Sequence, residues 1–404
     1  MDGPDARRIW QRPALRTDED FDQHRAVSSL ELFFDLVFVV VISRLAEGLL
    51  NHHDPADLVG FAAQFLAVFW VWNGFTFYTE RFESDGLKNR LLTFLAILPV
   101  AGLAVFAQQA FTENFVGFAA AYLLARLVNQ LSWARAGYHV VAFRAVSQRF
   151  HLGFALGTAL VLASLSAHGG LRVGLLTLAV LAEIATPWFT VAQQSVLPRL
   201  STSKFPERFA PFTLIVLGES VVGVIVALSE LENHTMLNGA AIAAGVLGLA
   251  IGFALWWIYF DFVARRSPKP AFLTALIWVY LHAVALIAIT ATGAGISLVI
   301  GEAATGSVDD ARRYLLVGSI ALALLGIATL QLTLARADDE PTHPRLSPAL
   351  KVGVAVVIGV IGDLDLGWTS ITLLAWLLAG LALPMGYGAY VWFIRSYNPT
   401  SRLP

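Results

Sequence analysis

The stretch ELFFDLVFV, Glu31–Val39, lies at the start of an apolar segment, 30–50, that also contains Arg44 and Glu47. A helix that crosses a bilayer needs about 20 mainly apolar residues, and this segment has that length. Ionisable side chains inside such a helix are costly, so they usually serve structure or function. The stretch therefore predicts a charged first transmembrane helix, and with it the class of the fold.

The composition of the whole chain agrees with a membrane protein. Of its 404 residues 57% are hydrophobic and only 14% are charged, and the mean hydropathy is +0.67. A soluble domain carries about 25% charged residues. The chain has no cysteine, which excludes disulfides, cysteine-ligated metals and a thiol nucleophile. We therefore predict an all-α integral membrane protein.

Apolar runs of spanning length recur along the chain, and turn-forming residues separate them. They predict about twelve transmembrane helices. The predicted spans lie at 29–50, 57–79, 90–111, 114–134, 150–167, 171–191, 208–229, 237–260, 271–296, 312–334, 348–362 and 368–394.

The positions of the basic residues predict the orientation of these spans. With a cytoplasmic N-terminus and alternating spans, most of the 27 Lys and Arg residues fall on the cytoplasmic side, Arg208 and Lys351 among them. The exceptions are Arg172, Arg312 and Arg313 in outer loops, and Arg44 and Arg126 within spans. Such a bias sets orientation strongly, so both termini are predicted to be cytoplasmic.

The chain is predicted to be one membrane domain, because no loop is long enough to hold a soluble domain. Its parts are a cytoplasmic tail 1–28, a six-helix half 29–191, a cytoplasmic linker 192–207, a second six-helix half 208–394 and a cytoplasmic tail 395–404. The first tail is polar and lacks the apolar core of a signal peptide, so we expect it to be retained.

The two halves share weak features that suggest an internal repeat. Glu31 opens the first span and Glu207 opens the seventh, and the aromatic clusters Phe69–Trp72 and Trp256–Phe260 follow. Six intervening spans would give both copies the same orientation, as in the parallel repeats of some transporters. Chance similarity in a chain rich in Phe and Trp is the alternative.

The charged residues of the first span have different predicted roles. Ser28 and Glu31 fit a capping box, which favours a structural role for Glu31. Asp35 lies one turn further on the same face, where it would hold a basic partner in a structural ion pair or form part of an ion or substrate site. Arg44 and Glu47 lie toward the outer end on the opposite side, and they predict an interfacial ion pair.

Four residues lie near the centres of their spans: Arg126, Glu183, Glu219 and His282. Because midplane charge must face the bundle interior or a cavity, these residues and Asp35 are the predicted substrate- or proton-binding candidates. The simpler interpretation pairs Arg126 with Glu183 or Glu219 in a structural bridge, which leaves the other carboxylate to take up a proton. His282 could relay protons, although a lone buried histidine is more often a hydrogen-bonded core residue.

The sequence around the carboxylates predicts irregular backbone. Gly218 and Gly223 flank Glu219 and would permit close helix contact or local unwinding beside it. Pro187 follows Glu183 by one turn and predicts a kink that frees a backbone carbonyl. Both features are typical of the broken helices that form transporter binding sites.

Other polar residues form a second tier of candidates. Asn129 and Gln130 lie one turn beyond Arg126 and could add contacts to the same cavity. Asp261 precedes Arg265 by four residues, which favours an ion pair over a functional role. The second-tier candidates are Glu31, Asn129, Gln130, Glu207 and Asp261.

Several kinds of site are argued against. The run 52–54, His-His-Asp, reads as a turn without a convergent partner, so no metal site is predicted. Neither GxSxG nor a phosphate-binding glycine loop occurs, and no cofactor is expected. Basic residues follow the inner face and need not bind nucleic acid. Gly248 and Gly252 form a GxxxG pattern, for which helix packing is the ordinary explanation.

Three stretches resemble the low temperature requirement protein A family of bacterial membrane proteins. They are Glu31–Val39, the segment from Glu207 to Ser220, and Trp256–Asp261, with His282 beyond them. The resemblance implies a multi-span protein of the bacterial cytoplasmic membrane and a growth phenotype in the cold, but no reaction. The second half departs from the first because Pro211 stands where an equivalent of Asp35 would fall.

Two classes of function fit these features. The first is a secondary transporter or channel-like protein that moves a small polar or ionic solute with proton coupling. The second is an integral-membrane enzyme or sensor that acts on lipids, and a scaffold with all charges paired is a third. The predicted partners are the lipid bilayer and a small solute or proton, and the oligomeric state stays open.

Overall fold

The computed structural model describes residues 13–15, 28–51, 55–83, 87–197, 205–264, 266–303, 306–336, 340–364 and 366–394. Most of both predicted tails, part of the 192–207 linker, the run 52–54 and Arg265 lie outside the described residues.

The described residues form thirteen α-helices and one short antiparallel pair of strands. The strands are β1 (Ala14–Leu15) and β2 (Phe82–Glu83). The helices are α1 (Ser29–Asn51), α2 (Pro55–Arg81), α3 (Leu87–Phe106), α4 (Phe115–His139), α5 (Arg144–Ser166), α6 (Gly169–Ala185), α7 (Val191–Gln194), α8 (Phe205–Asn233), α9 (Gly239–Tyr259), α10 (Phe272–Gly301), α11 (Asp310–Thr333), α12 (Leu346–Asp363) and α13 (Ser370–Ala389).

All twelve predicted spans correspond to long helices, which confirms the all-α membrane fold. Eleven helices in the described part of the chain are long and apolar enough to cross a membrane. The helix α1 has the length but carries four charged residues. Its burial nonetheless follows a helical period, since Phe34, Phe38 and Ile42 are buried whereas Leu36 and Val40 are about half exposed.

Some helix boundaries differ from the predicted ones. Turns end some helices early, and polar residues extend others. The third span ends at Phe106 and not at residue 111. A turn around Gln109, whose φ is 53°, follows it. The fifth begins at Arg144 instead of residue 150. Its added turns bury Val146 and Phe150 on one face while Arg149 stays exposed, so the helix extends beyond its apolar stretch.

The helix changes type near the proline at which a kink was expected. After Ala185 the helix α6 changes to a 3₁₀ segment, Thr186–Thr190, with Pro187 in its first turn. The Thr186 N–H donates to the Glu183 carbonyl, so this carbonyl keeps a backbone partner. Proline cannot supply the next helical N–H, which explains the change of helix type.

The chain divides into two compact units. The first, unit 1, comprises residues 1–48, 59–208 and 270–276. Within it α4 packs against α3 and α5, and α5 packs against α6. An aromatic cluster that includes Tyr78, Phe82, Trp133 and Phe143 fixes the ends of α2 and α4 and the start of α5.

The second, unit 2, comprises residues 49–58, 209–269 and 277–404. Here α9 packs on α13 and α11 packs on α12. Small residues bring helices together: a Cβ added to Gly252 would lie 3.2 Å from Ser220 Cβ, and one at Gly293 would lie 3.0 Å from the Ser220 nitrogen. Packing is therefore the role of the GxxxG pattern.

The predicted unwinding at Gly218 is wrong, because α8 is continuous there.

Substitution at these glycines tests the packing of unit 2. We expect Gly293→Ala to destabilise the protein by about 1–3 kcal/mol, because the new methyl group meets α8 backbone that cannot move aside alone. Thermal unfolding in detergent, followed by tryptophan fluorescence, measures the change.

The matched control is Gly218→Ala on α8, where an added Cβ meets nothing within 4 Å. This change should be neutral or stabilise by up to about 1 kcal/mol, since alanine favours the helix. Equal unfolding temperatures for the two variants would contradict the proposed close approach.

Candidate functional site

A buried ion pair joins two transmembrane helices of unit 1. Arg126 Nε on α4 donates to Glu183 Oε2 on α6 at 2.6 Å, and the two side chains are 2% and 1% exposed. Tyr122 lies one turn before Arg126 on the same face of α4, and its hydroxyl donates to the same oxygen at 2.7 Å. The carboxylate therefore accepts two strong hydrogen bonds through one oxygen.

Two glycines on neighbouring helices make room for this pair. A Cβ on Gly74 of α2 would lie 2.7 Å from Arg126 Nη1, and a Cβ on Gly157 of α5 would lie 2.6 Å from Glu183 Oε1. Any larger side chain at either position would displace the charged groups. The sequence signal for Gly74 was present, because Asn73 and Gly74 interrupt an otherwise apolar and aromatic span.

The remaining contacts of the guanidinium group are weak. Arg126 Nη1 lies 3.4 Å from both the Trp70 carbonyl and Asn129 Oδ1. The guanidinium carbon lies 4.8 Å from the centre of the Phe154 ring, which favours the positive charge. Arg126 thus keeps donor capacity beyond its bond to Glu183.

A pocket with about 490 Å³ of empty space surrounds this pair. Its walls are largely aromatic, and its polar lining includes Asn73, Arg126, Asn129 and Glu183. Asn73 is 4% exposed and Asn129 is fully buried. Among the residues that the structure describes, Asn73 Oδ1 and Asn129 Nδ2 have no hydrogen-bond partner. Buried polar atoms of this kind usually mark a bound group or water.

A wider vestibule adjoins the pocket. It has about 910 Å³ of empty space, part of it open to solvent, and is lined by Arg81 and by segments 191–197 and 270–275. Gln194 and Phe272 line both spaces. Arg81 Nη2 donates to Gln194 Oε1 at 3.2 Å, so the boundary is polar on one side and aromatic on the other.

Asp35 lies in a separate cluster of unit 1. Its Oδ1 accepts from Trp72 Nε1 at 2.8 Å and from Arg208 Nη2 at 3.2 Å. Arg208 also approaches Glu31, with 3.9 Å between Nη1 and Oε2. The sequence allowed a basic partner for Asp35 but did not identify it, and the partner is Arg208, a buried residue near the start of α8.

Two other predictions about α1 are confirmed. Glu31 and Ser28 form the reciprocal capping bonds, Ser28 N to Glu31 Oε2 at 2.9 Å and Glu31 N to Ser28 Oγ at 3.3 Å. Arg44 and Glu47 form an exposed ion pair with 2.7 Å between Nη1 and Oε2. These residues therefore have structural partners that the sequence could identify.

Glu219 and His282 belong to unit 2. Glu219 is 8% exposed on α8, next to the close contact of Ser220 with Gly293. His282 is fully buried, with Nδ1 2.9 Å from the Trp278 carbonyl and Nε2 3.0 Å from the Tyr259 hydroxyl. Both ring nitrogens are thus engaged, which favours the interpretation of His282 as a hydrogen-bonded core residue.

The second-tier residues divide in the same way. Asn129 lines the pocket, whereas Gln130 Nε2 donates to the Phe154 carbonyl and Thr158 Oγ1 on α5. Asp261 lies in a π-helical segment, Phe260–Ala264, and accepts from Trp257 Nε1 at 2.7 Å. Its predicted partner Arg265 lies outside the described residues. Glu207 is half-buried in the first turn of α8.

One buried charge in unit 2 was missed. Lys351 was counted with the basic residues of the cytoplasmic side and was not a site candidate, and the structure places it fully buried in α12. Its Nζ donates to Gln331 Oε1 at 3.2 Å and to Ser347 Oγ at 3.0 Å, and it lies 3.4 Å from the centre of the Phe262 ring. Polar neighbours and a ring face can stabilise a buried ammonium group.

The helices and the buried ion pair define a polytopic α-helical membrane protein with a polar pocket among apolar spans. Residues 26–394 match the family described as bacterial low temperature requirement A protein (LtrA), and the chain belongs to this family. The match confirms the resemblance carried by the first helix. The chain is therefore an integral membrane protein of a bacterial family.

An uncharacterized protein of Rhizobium meliloti (strain 1021) is 28% identical over 276 residues. The aligned part covers 63% of this chain and 62% of that relative, which is less than two thirds of its length. No solved structure matches the chain.

A double-mutant cycle tests the Arg126–Glu183 pair. Arg126→Gln should destabilise the protein by about 3–5 kcal/mol, because it leaves a buried carboxylate without its cation. The double variant Arg126→Gln/Glu183→Gln should recover much of this loss, since no buried charge remains. Thermal unfolding in detergent gives the values.

Arg44→Gln is the matched control, because its ion pair with Glu47 is exposed. It should change stability by less than about 1 kcal/mol. Additive effects of Arg126→Gln and Glu183→Gln would show that the two groups are not coupled.

Proposed function

We propose that this protein is a secondary transporter that moves a small polar or ionic solute together with protons. The Arg126–Glu183 pocket is the solute site. The observation that carries the proposal is a fully buried ion pair beside unsatisfied amide groups in a pocket that adjoins a wider vestibule. A purely structural bridge requires neither the pocket nor the unsatisfied amides.

The ion pair supplies a mechanism for coupling. In the empty site Arg126 and Glu183 neutralise each other in a medium of low dielectric constant. A solute that binds either group weakens this pair, and a buried carboxylate without its cation favours the protonated form. Binding of solute and binding of a proton therefore support each other, which is what coupled transport requires.

The vestibule supports access from the cytoplasm. It is lined by the end of α2, by residues that follow α6 and by residues at the start of α10. The distribution of Lys and Arg predicts that all of these segments are cytoplasmic. In this orientation the pocket is open to cytoplasmic solute through the boundary formed by Gln194 and Phe272.

A second candidate function, action on lipids as an enzyme or sensor, is favoured by a different pocket of unit 1. This pocket has about 340 Å³ of empty space and is lined by Glu31, Asn89, Thr93 and Arg208. Among the described residues, Arg208 Nε and Nη1 have no hydrogen-bond partner. A lipid carbonyl or phosphate oxygen would accept from them. Lipid retention that depends on Arg208, without solute flux, would favour this function.

Flux in proteoliposomes tests the transport proposal. The protein is reconstituted with a trapped pH-sensitive dye and presented in turn with lactate, serine, glycerol and ethanolamine, which represent an acid, a zwitterion, a neutral solute and an amine. At least one class should drive saturable proton movement. Glu183→Gln should reduce this movement at least tenfold, because the glutamine cannot take up the proton.

Glu47→Gln is the matched control, since it removes an exposed carboxylate and should leave the flux nearly unchanged. Glu219→Gln tests the buried carboxylate of unit 2 in the same assay. Absence of proton movement with all four solutes would overturn the transport proposal. Flux that is lost in the Glu219→Gln variant and unchanged in the Glu183→Gln variant would overturn the choice of site.

A further inference from the structure

The pocket also points to the chemical class of the solute. We infer that the site binds a small 2-hydroxycarboxylate as its anion, which takes the place of Glu183 on Arg126 while Glu183 takes up one proton. This inference rests on the proposed transport function and specifies the solute of that same site. Its support comes from the charges, from the unsatisfied amides and from the aromatic lining of the pocket.

The charged groups favour an anion. Among the described residues that line the pocket, Arg126 and Glu183 are the charged side chains, and Arg81 is the charged side chain that lines the vestibule. The Glu183 oxygen Oε2 already accepts from Arg126 and Tyr122. Arg126 in contrast uses one short bond, and its Nη1 contacts are long and made to neutral groups.

The geometry of a guanidinium group favours a carboxylate in particular. Arginine presents a planar fork that binds a carboxylate through two parallel hydrogen bonds, which are stronger than its bonds to neutral acceptors. Glu183 engages Arg126 through Nε alone. A solute carboxylate that enters the pocket is free to adopt the two-bond arrangement, and so it competes with Glu183.

The unsatisfied amides specify a second group on the solute. Asn73 presents an oxygen and Asn129 a nitrogen without partners among the described residues. A hydroxyl group both donates and accepts, so a single solute hydroxyl matches the Asn73 oxygen and the Asn129 nitrogen. The aromatic walls, which include Phe154 and Trp133, suit the carbon atoms of a small solute.

The exchange balances in charge and in protons. Before it, Arg126 carries a positive charge and Glu183 a negative one. The solute carboxylate then accepts the hydrogen bonds of Arg126, the Nε–Glu183 bond breaks, and one proton from vestibule water joins the freed Glu183 carboxylate. Tyr122 keeps its bond to Glu183. The pocket stays neutral, so each anion is accompanied by one proton and transport moves no net charge.

Binding to the purified full-length protein tests the inference. The probes are lactate, propionate, which lacks the hydroxyl, and lactamide, in which a neutral amide replaces the carboxylate. Isothermal titration gives the affinities, and a pH indicator in weak buffer gives proton uptake. Lactate should bind with uptake of about one proton, propionate about tenfold more weakly and lactamide at least about a hundredfold more weakly.

Variants separate recognition from proton uptake. Glu183→Gln should still bind lactate, because Arg126 remains, but without proton uptake. Asn73→Ala should bring the affinity for lactate close to that for propionate. Glu47→Gln, the control, should match the wild type. Unfolding temperatures of all variants establish that loss of binding is not loss of fold.

Distinct results overturn the inference and the transport proposal. Equal affinity for lactate and lactamide would overturn recognition of an anion, and lactate binding without proton uptake by the wild type would overturn the exchange. If serine, glycerol or ethanolamine gives flux that depends on Glu183 and lactate gives none, the transport proposal is retained. The inference that the solute is a carboxylate is then overturned. Lactate binding with the stated proton uptake, but no flux of any probe, would support the site chemistry and overturn transport.

Discussion

The buried pair of Arg126 and Glu183 is the interaction on which the architecture of unit 1 depends. In the interior of a membrane protein neither charge is stable alone, because little water is present to solvate it. The pair must therefore form, and it fixes the facing sides of α4 and α6. Gly74 on α2 and Gly157 on α5 follow from the same requirement, because the charged groups occupy the space that a larger side chain at either position would need. Tyr122 donates a second hydrogen bond to the carboxylate of Glu183.

Burial in the protein and the neighbouring groups explain why the ion pairs of unit 1 differ. Arg44 and Glu47 are about half exposed, and such a pair contributes little to stability. Asp35 and Arg208 are buried and form an ion pair. Asp35 also accepts a hydrogen bond from Trp72, and Arg208 lies close to Glu31, so this cluster connects the start of α1 with α2 and α8. Arg126 and Glu183 combine burial with a pocket and unsatisfied neighbours.

Unit 2 stabilises two of its buried titratable groups, Lys351 and His282, with neutral partners. Lys351 is stabilised by an amide, a hydroxyl and the face of Phe262. His282 is satisfied by Tyr259 and a backbone carbonyl. Small residues bring α8 close to α10 and α9. Lys351 and His282 are thus consistent with a role in packing, and the predicted internal repeat stays a prediction.

The sequence by itself determined the class of the protein, because hydropathy, span length and the charged first helix depend on local composition. It also identified Arg126 and Glu183 as candidates, since midplane charge is visible from position alone, and it anticipated the cap at Glu31, the pair Arg44–Glu47 and the change of helix at Pro187. It could not choose Glu183 over Glu219 as the partner of Arg126. Nor could it find Gly157, or the burial of Arg208 and Lys351. Those features depend on which faces of different helices meet, and a one-dimensional apolar pattern does not record that. Tertiary packing alone decided that one ion pair would lie in a pocket with unsatisfied amides.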